Sequence, residues 1–517
     1  RRARSVGTLA TEIITSLIQA IFSHLSRWGM LAWKAQLRER ITMSTSEDDE
    51  KSFGDASGRE LQRNLTNRHI QLIAIGGAIG TGLFMGSGKT IATAGPSILL
   101  VYLIIGSALF LFMRAMGEIL LSDKRYGTFA DIIRHFLGPT LGFVMGWTYW
   151  LCWVVTGIAD VVAITGYVRF WFPNLPAWIP VLATALLLFA LNAMTVKAFG
   201  ETEFWFAMIK IVAIIALIVV GVVMIAIGMR DSNGTTAAVS NLWSHGGLFP
   251  TGFRGFLGGF QIAVFAFVGI ELVGTTVAET SNPTQTLPKA INSIPVRVVL
   301  FYICSLAVIM MVTPWDQIDK TQSPFVTMFS MTGLGAAASL VNLVVLTSAA
   351  SSANSGIYST SRMLFSLSLQ GDAAPFFGRL SKRHVPQNAL FLSCVFLLSA
   401  AVLLAFGDSI LSVFTVVTAM SATLFMVVWV LIVIAYLFYV RKYPNKHRNS
   451  TFPLPGGVFS AWLFIAFIAA MVVVLSLDME SLQGLLMSAA WMVGISVVGV
   501  IRRHRSLGRR GRTSLSA

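Results

Sequence analysis

The sequence predicts an all-α integral membrane protein with about twelve transmembrane helices. Hydrophobic residues make up 55% of the 517 residues and charged residues 12%, and the mean hydropathy is +0.74. A soluble protein of this length could not expose so apolar a surface. Apolar segments of about 20 residues, enough to cross about 30 Å of hydrocarbon, recur along the chain. Glycine interrupts the first and the sixth of them.

The apolar segments define one predicted transmembrane domain over residues 65–501. Each is bounded by polar or charged residues, as expected where a helix leaves the bilayer. The segments lie near residues 70–90, 96–120, 139–168, 177–196, 205–229, 256–280, 291–313, 331–365, 388–406, 409–439, 458–477 and 483–501.

The two ends of the chain differ from this domain. Residues 43–64 begin at Met43 and have the polarity of a disordered cytoplasmic tail, and residues 502–517 form a basic tail. Residues 1–42 are rich in arginine and leucine, and we expect them to be translated upstream sequence or part of an over-long gene model. An interfacial amphipathic helix is the alternative.

The formal net charge is +15, and the basic residues are distributed over alternate loops instead of forming one patch. We therefore expect a lipid bilayer, and no nucleic acid, as partner. Alternate loops carry acidic residues instead, such as Asp316, Asp408 and Glu480. By the positive-inside rule both termini are predicted to be cytoplasmic. The basic loop residues are Lys124, Arg125, Arg134, Lys289, Arg297, Arg379, Lys382, Arg383, Arg441, Lys442, Lys446 and Arg448.

The first apolar segment is broken near its middle by Gly80-Thr81-Gly82. Inside a bilayer, irregular backbone survives only where it lines a cavity or is buried in protein. A half-helix N-terminus attracts a carboxylate, and free carbonyls attract an amine or a cation. The break therefore predicts a binding site for a zwitterion, with close helix packing at the glycines as the alternative.

The sixth segment repeats this pattern about 190 residues later, with a glycine inside an apolar run and Glu271 directly after it. Two sets of five segments, each opening with an interrupted helix, indicate a 5+5 inverted repeat with two additional helices. Because five is odd, the second set enters the membrane from the opposite side. The broken helices 1 and 6 should therefore face each other near the midplane.

Four long motifs resemble the amino acid–polyamine–organocation superfamily, and within it the amino acid transporter family. They are NLTNRHIQLIAIGGAIGTGLF at 64–84, EFWFAMIK at 203–210, FVGIELVG at 267–274 and SANSGIYSTSRMLF at 352–365. Two further runs, at 146–165 and 265–280, are most similar to the branch that carries D-serine, D-alanine and glycine. The resemblance implies a secondary active, proton-coupled permease of a bacterial inner membrane. It implies no cofactor and no enzymatic activity.

The resemblance also implies a substrate site at the two breaks. The amides of residues 80–82 would hold the carboxylate, and backbone carbonyls of both breaks would receive the ammonium. Phe265 would close over the bound substrate, and its apolar ring suits a small side chain. The residues that carry these roles are Ala78, Ile79, Gly80, Thr81, Gly82, Phe265, Ala266 and Val268.

Lys210 is the first candidate for the proton site, because similar proton-coupled carriers place a lysine of this motif where sodium binds in relatives. Its expected partners are Ser351 and Ser352. A snorkelling lysine is the alternative. Glu271, an acid beside a helix break, is the competing proton site unless it faces the cytoplasmic vestibule.

Other polar residues allow more than one interpretation. Asp160 could reach the substrate or pair structurally, and Glu118 is predicted to form a salt bridge with Arg114. The three cysteines lie inside apolar segments, where we expect packing thiols and no metal site. Alternative functions are a permease for aromatic or basic L-amino acids or proline, and a channel. The oligomeric state stays open.

Overall fold

The computed structural model describes residues 79–123, 126, 129–230, 234–275, 283–330 and 335–513, with side chains up to 504 except at 196, 197, 273, 275, 283 and 335. These residues form helices and connecting turns, which confirms the predicted all-α class. The predicted segments 1–42 and 43–64, and Ala78, lie outside the described residues.

The described helices group into twelve spans that follow the predicted apolar segments. Several spans consist of two or three pieces. Spans 1 to 6 are Thr81–Phe84 with Gly86–Ala94, Ile98–Ser122, Pro139–Arg169, Trp178–Asn192, Val196–Ala226, and Gly252–Ala263 with Phe265–Phe267 and Leu272–Thr275. Spans 7 to 12 are Ile294–Arg297 with Val298–Cys304 and Ser305–Val312, Gly335–Leu369, Gln387–Leu397 with Ser399–Phe406, Ile410–Lys442, Gly457–Leu475 and Met479–Thr513.

Short helices connect the spans, and side chains cap two of the long ones. The Thr195 hydroxyl accepts a hydrogen bond from the Ala198 amide at the start of span 5. Ser409 does the same for Ser412 at the start of span 10. Such caps satisfy amides that have no partner within the helix. The connecting helices are Gly95–Ser97, Phe129–Leu137, Val239–Leu242, Pro283–Asn292, Trp315–Gln317, Pro324–Ser330, Pro375–Gly378 and Pro444–Arg448.

Nine helices of the described part are long and apolar enough to cross a membrane, and Trp178–Asn192 and Gly252–Phe267 are shorter apolar helices. Burial separates the central spans from the peripheral ones. In span 3, 83% of the most apolar stretch is buried, whereas the figure is 28% in both span 5 and span 12. Span 3 therefore runs through the protein core, and much of spans 5 and 12 faces outward.

Span 6 is interrupted, as predicted, whereas the part of span 1 before Ile79 lies outside the described residues. Gly80 has extended backbone, and the first helical piece of span 1 begins at Thr81. In span 6 a 3₁₀ turn over Phe265–Phe267 is followed by extended backbone at Val268 and a left-handed Gly269 with φ +98°. A side chain at position 269 would be strained, because this backbone region is open mainly to glycine. Glycine thus fixes the second break.

Candidate functional site

The two helix breaks lie directly against each other. A Cβ added to Gly82 would lie 2.5 Å from Cα of Ala266 and 2.7 Å from its amide nitrogen. Gly82 is fully helical, so its missing side chain serves the approach of the two backbones. The close-packing alternative raised from the sequence therefore applies at Gly82. The same contact brings the irregular backbone of both spans to one place in the core.

The first helical piece of span 1, Thr81–Phe84, has free backbone amides at its N-terminal end. Because the helix begins at Thr81, its first N–H groups have no acceptor within the helix. The expected unwound stretch, residues 78–82, is thus shorter at its C-terminal end, since Thr81 and Gly82 are already helical. A Cβ on Gly80 would lie 3.2 Å from Oγ of Ser352, which places that span 8 hydroxyl beside the break.

Several carbonyls expected to receive an ammonium group already accept protein hydrogen bonds. The Ile79 carbonyl accepts from the Ser348 hydroxyl at 3.2 Å. The Ala266 carbonyl accepts from the Tyr302 hydroxyl at 2.8 Å. The Phe265 carbonyl accepts from the Val268 amide at 3.1 Å. A carbonyl oxygen has two lone pairs, so each can accept one further hydrogen bond.

Phe265 is buried beside the break. Its ring meets the Phe414 ring of span 10 edge to face, with 6.0 Å between centroids. This contact holds an aromatic surface against the irregular backbone of span 6. A side chain that enters the site would therefore meet apolar rings at this point.

Asp160 of span 3 joins the site through Thr81. The Thr81 hydroxyl donates to Oδ1 of Asp160 at 2.7 Å, and both side chains are buried. The sequence left the role of Asp160 open between substrate contact and structural pairing. The structure gives it a partner inside the first break, so one hydrogen bond links the core span to the predicted substrate-binding turn.

Lys210 is fully buried, which excludes the snorkelling alternative. The carboxylates of Glu203 and Asp160 both act on it electrostatically, Glu203 more strongly. The two serines expected beside it occupy the same turn of span 8 but have different neighbours. The Ser351 hydroxyl donates to Oε2 of Glu203 at 2.8 Å, whereas Ser352 lies at Gly80.

Glu203 is a polar residue of this region that the sequence did not single out. It is 1% exposed, and Asn354 donates to its second carboxylate oxygen, Oε1, at 2.6 Å. Its position within the EFWFAMIK motif, seven residues before Lys210, was the available signal. Two helical turns separate residues seven apart, so both side chains share one face of span 5.

Glu271 is fully buried, which contradicts the alternative that it faces a cytoplasmic vestibule. Its Oε2 accepts a hydrogen bond from the Gly269 amide at 3.2 Å. The carboxylate also acts electrostatically on Tyr149 and Cys152 of span 3. It therefore belongs to the second break and lies against the core span.

The predicted salt bridge between Glu118 and Arg114 is wrong. Glu118 approaches His447 Nδ1 at 2.6 Å and accepts from the Leu454 amide at 2.9 Å. Arg114 lies over the Phe452 ring, with 3.7 Å between the guanidinium carbon and the ring centroid. Residues four apart on a helix can pair, but here the loop between spans 10 and 11 supplies better-placed partners for both.

Within the described residues, no group of three or more His, Cys, Asp or Glu side chains could hold a metal ion. The site thus consists of backbone at two helix breaks, hydroxyl groups, and a buried lysine among carboxylates. Comparison with known proteins identifies the family, since residues 69–503 match the amino acid permease family. The chain belongs to this family.

The permease has relatives in two bacterial species. It is 56% identical over 439 residues to the D-serine/D-alanine/glycine transporter of Escherichia coli K12, covering 85% of this chain and 93% of the relative. It is 47% identical over 450 residues to the amino-acid permease AapA of Bacillus subtilis, covering 86% and 96%. It is 38% identical over 444 residues to the aromatic amino acid transport protein AroP of Escherichia coli O6:H1, covering 86% and 96%.

These matches confirm the resemblance found in the sequence motifs. The permease is a multi-pass membrane protein, and the relatives named above are transporters rather than enzymes.

Proposed function

We propose that this permease is a secondary active transporter that takes up D-alanine, D-serine and glycine together with a proton. The contact between Gly82 and Ala266 supports the proposal, because it brings the helix start of span 1 against the irregular backbone of span 6 in the buried core. Helix N-terminal amides favour a carboxylate, and carbonyls of irregular backbone favour an ammonium group. A free amino acid presents both groups on one carbon.

The choice of small substrates rests on two observations. The relative with 56% identity is named for D-serine, D-alanine and glycine, and the match extends over most of both chains. Space near the break is also limited, since Ser352 lies against Gly80 and Phe265 packs edge to face on Phe414. A site of this kind favours substrates with a hydrogen, methyl or hydroxymethyl side chain.

Lys210 is the proposed proton carrier of the cycle. A buried ionisable residue inside a span is costly and is usually functional. Lys210 is fully buried, and Glu203 and Asp160 act on it electrostatically. Asp160 in turn accepts a hydrogen bond from Thr81 at the first break. Through Thr81 and Asp160, substrate binding at the break and the protonation of Lys210 can therefore affect each other. Glu271, at the second break, is the competing carrier.

We place the permease in a bacterial cytoplasmic membrane with both termini in the cytoplasm. The alternation of basic and acidic loops supports this orientation. The N-terminal end of span 5 and the C-terminal end of span 8 then lie on the cytoplasmic side.

Uptake of radiolabelled D-alanine into proteoliposomes tests the substrate assignment. We expect excess unlabelled D-serine, glycine or D-alanine to abolish labelled uptake. L-phenylalanine, L-lysine and L-proline should compete at least tenfold less well. Preferential competition by L-phenylalanine would instead assign the permease to the aromatic branch. Uptake that fails to saturate with concentration would indicate a channel.

A further inference from the structure

A buried carboxylate on the same face of span 5 as Lys210 joins three spans. Glu203 of span 5 accepts hydrogen bonds from Ser351 and Asn354 of span 8, at 2.8 and 2.6 Å. Asn192 of span 4 donates in turn to Oδ1 of Asn354 at 2.7 Å. We call Glu203, Ser351, Asn354 and Asn192 the carboxylate cluster. Its polar contacts connect spans 4, 5 and 8.

The donors in this cluster favour the charged form of Glu203. The Asn354 amide nitrogen can only donate, so Oε1 of Glu203 must accept. Ser351 donates to the other oxygen, and both contacts are buried. Hydrogen bonds from two donors stabilise a carboxylate over a carboxylic acid. Without a cation nearby, such a buried anion would carry a large desolvation penalty.

Lys210 is placed to supply that cation. It lies two turns further along the same face of span 5, and Glu203 acts on it more strongly than Asp160 does. Arg297 ends the first piece of span 7. Arg362 of span 8 lies two turns beyond Asn354, where its guanidinium carbon is 3.2 Å from the centroid of the Tyr358 ring.

An aromatic stack lies between the carboxylate cluster and one end of the spans. Phe199, one turn before Glu203, stacks on Tyr358 with 3.8 Å between ring centroids, and Arg362 lies over the same tyrosine. Tyr358 is one turn beyond Asn354 on span 8. Three stacked groups therefore separate Glu203 from the end assigned to the cytoplasm. This arrangement shields the charge of Glu203 from bulk water.

We propose that Glu203 is a positioning residue of the coupling site, whose ionised carboxylate, held by Asn354 and Ser351, serves as the counter-ion of protonated Lys210. This inference rests on the proposed role of Lys210 in proton coupling. The Lys210 ammonium forms when the amine takes a proton from the outside and is neutralised when that proton leaves toward the cytoplasm. Glu203 keeps its negative charge throughout and does not touch substrate.

Glu203→Gln tests the counter-ion directly, because it removes the charge with little change of shape. The glutamine oxygen can still accept from Asn354, and the Ser351 hydroxyl can reverse its role and accept from the new amide. The matched control is Glu201→Gln, the same substitution two residues away on a partly exposed side of span 5. Proteoliposomes would be assayed for D-alanine exchange at equal pH and for uptake driven by a pH gradient.

We expect Glu203→Gln to keep exchange within about threefold of the parent, since no substrate contact is lost. The external pH for half-maximal driven uptake should fall by about one unit or more, because proton loading of Lys210 loses its counter-ion. Glu201→Gln should leave the pH profile unchanged. Ser351→Ala removes one donor and so favours the protonated, uncharged form of Glu203, and it should shift the profile in the same direction by a smaller amount.

Two results would overturn the assignment in different ways. An unchanged pH profile in Glu203→Gln, with coupling lost in Lys210→Ala, would reject Glu203 while keeping Lys210 as the proton site. Coupling retained in Lys210→Ala would reject both the counter-ion and the proposed coupling residue. If Glu203→Gln fails to fold by size-exclusion chromatography, Ser351→Ala decides, and an unchanged profile in that variant would reject the proposal.

Discussion

Gly82→Ala is the substitution that most directly probes the contact between the two helix breaks. The added Cβ would lie 2.5 Å from Cα of Ala266, whereas carbon atoms pack at about 3.5–4.0 Å. The obstructing atoms are backbone, so a rotamer change cannot relieve the clash. Spans 1 and 6 must therefore separate by about 1 Å.

Overpacking of this kind costs about 1–3 kcal/mol, which corresponds to roughly a 5- to 150-fold loss of affinity if the strain falls on the substrate-binding conformation. Gly80→Ala is the matched control, since its Cβ would meet the Ser352 hydroxyl at 3.2 Å and a side chain can yield. Combining Gly80→Ala with Ser352→Ala should restore part of any loss.

The assay is equilibrium binding of labelled D-alanine to purified protein, with the folded fraction measured by fluorescence-detected size exclusion. We expect Gly82→Ala to bind at least fivefold more weakly than Gly80→Ala at equal folded fraction. Parental affinity and uptake in Gly82→Ala would show that the breaks can separate without consequence for binding. That result would refute the reasoning.

Three further predictions concern separate parts of the permease. Phe265→Ala removes the ring that packs on Phe414; it should weaken D-alanine uptake and improve competition by larger amino acids, and an unchanged competition profile would count against a size-selecting role. Glu118→Ala removes the acceptor of the buried Leu454 amide and should lower the free energy of unfolding by about 1–3 kcal/mol in thermal melts; Glu118→Gln, which keeps an acceptor, should lose less. Glu480→Gln removes the charge that pairs with Lys89 at 2.6 Å, where the Glu480 side chain is 34% exposed and the Lys89 side chain 23%. The free energy of unfolding should change by no more than about 1 kcal/mol, because exposed ion pairs contribute little. A larger loss would show that the pair has a structural role.

The architecture could be predicted from the sequence because one dominant physical constraint acts on each element. Span 2 was expected near 96–120 and runs Ile98–Ser122, and span 10 was expected near 409–439 and runs Ile410–Lys442. Bilayer thickness fixes how long such an apolar run must be. The irregular backbone at Gly80 and Gly269 was equally accessible, since a glycine inside an apolar span indicates where a helix can be interrupted.

Contacts between distant spans were not accessible in the same way. The bond from Thr81 to Asp160 joins residues 79 apart, and that from Asn354 to Glu203 joins residues 151 apart. Hydropathy sets where a span lies, but the rotation of each helix decides which polar side chains meet. For the same reason the predicted Arg114–Glu118 pair failed, because a loop far along the chain supplied the partners. The π-helical stretch Val298–Cys304 in span 7 also had no evident sequence signal.

The central claim is that an imposed proton gradient drives small amino acids through this permease by way of Lys210. The decisive measurement is the steady-state accumulation of D-alanine in proteoliposomes against an imposed membrane potential at fixed pH gradient, for the parent and for Lys210→Ala. One charge moved per substrate is worth about 2.3 kcal/mol per 100 mV, which supports roughly fifty-fold accumulation. We predict that the parent follows this slope without sodium, and that Lys210→Ala equilibrates D-alanine without accumulating it. Accumulation that ignores the proton gradient, or that persists in Lys210→Ala, would contradict the account.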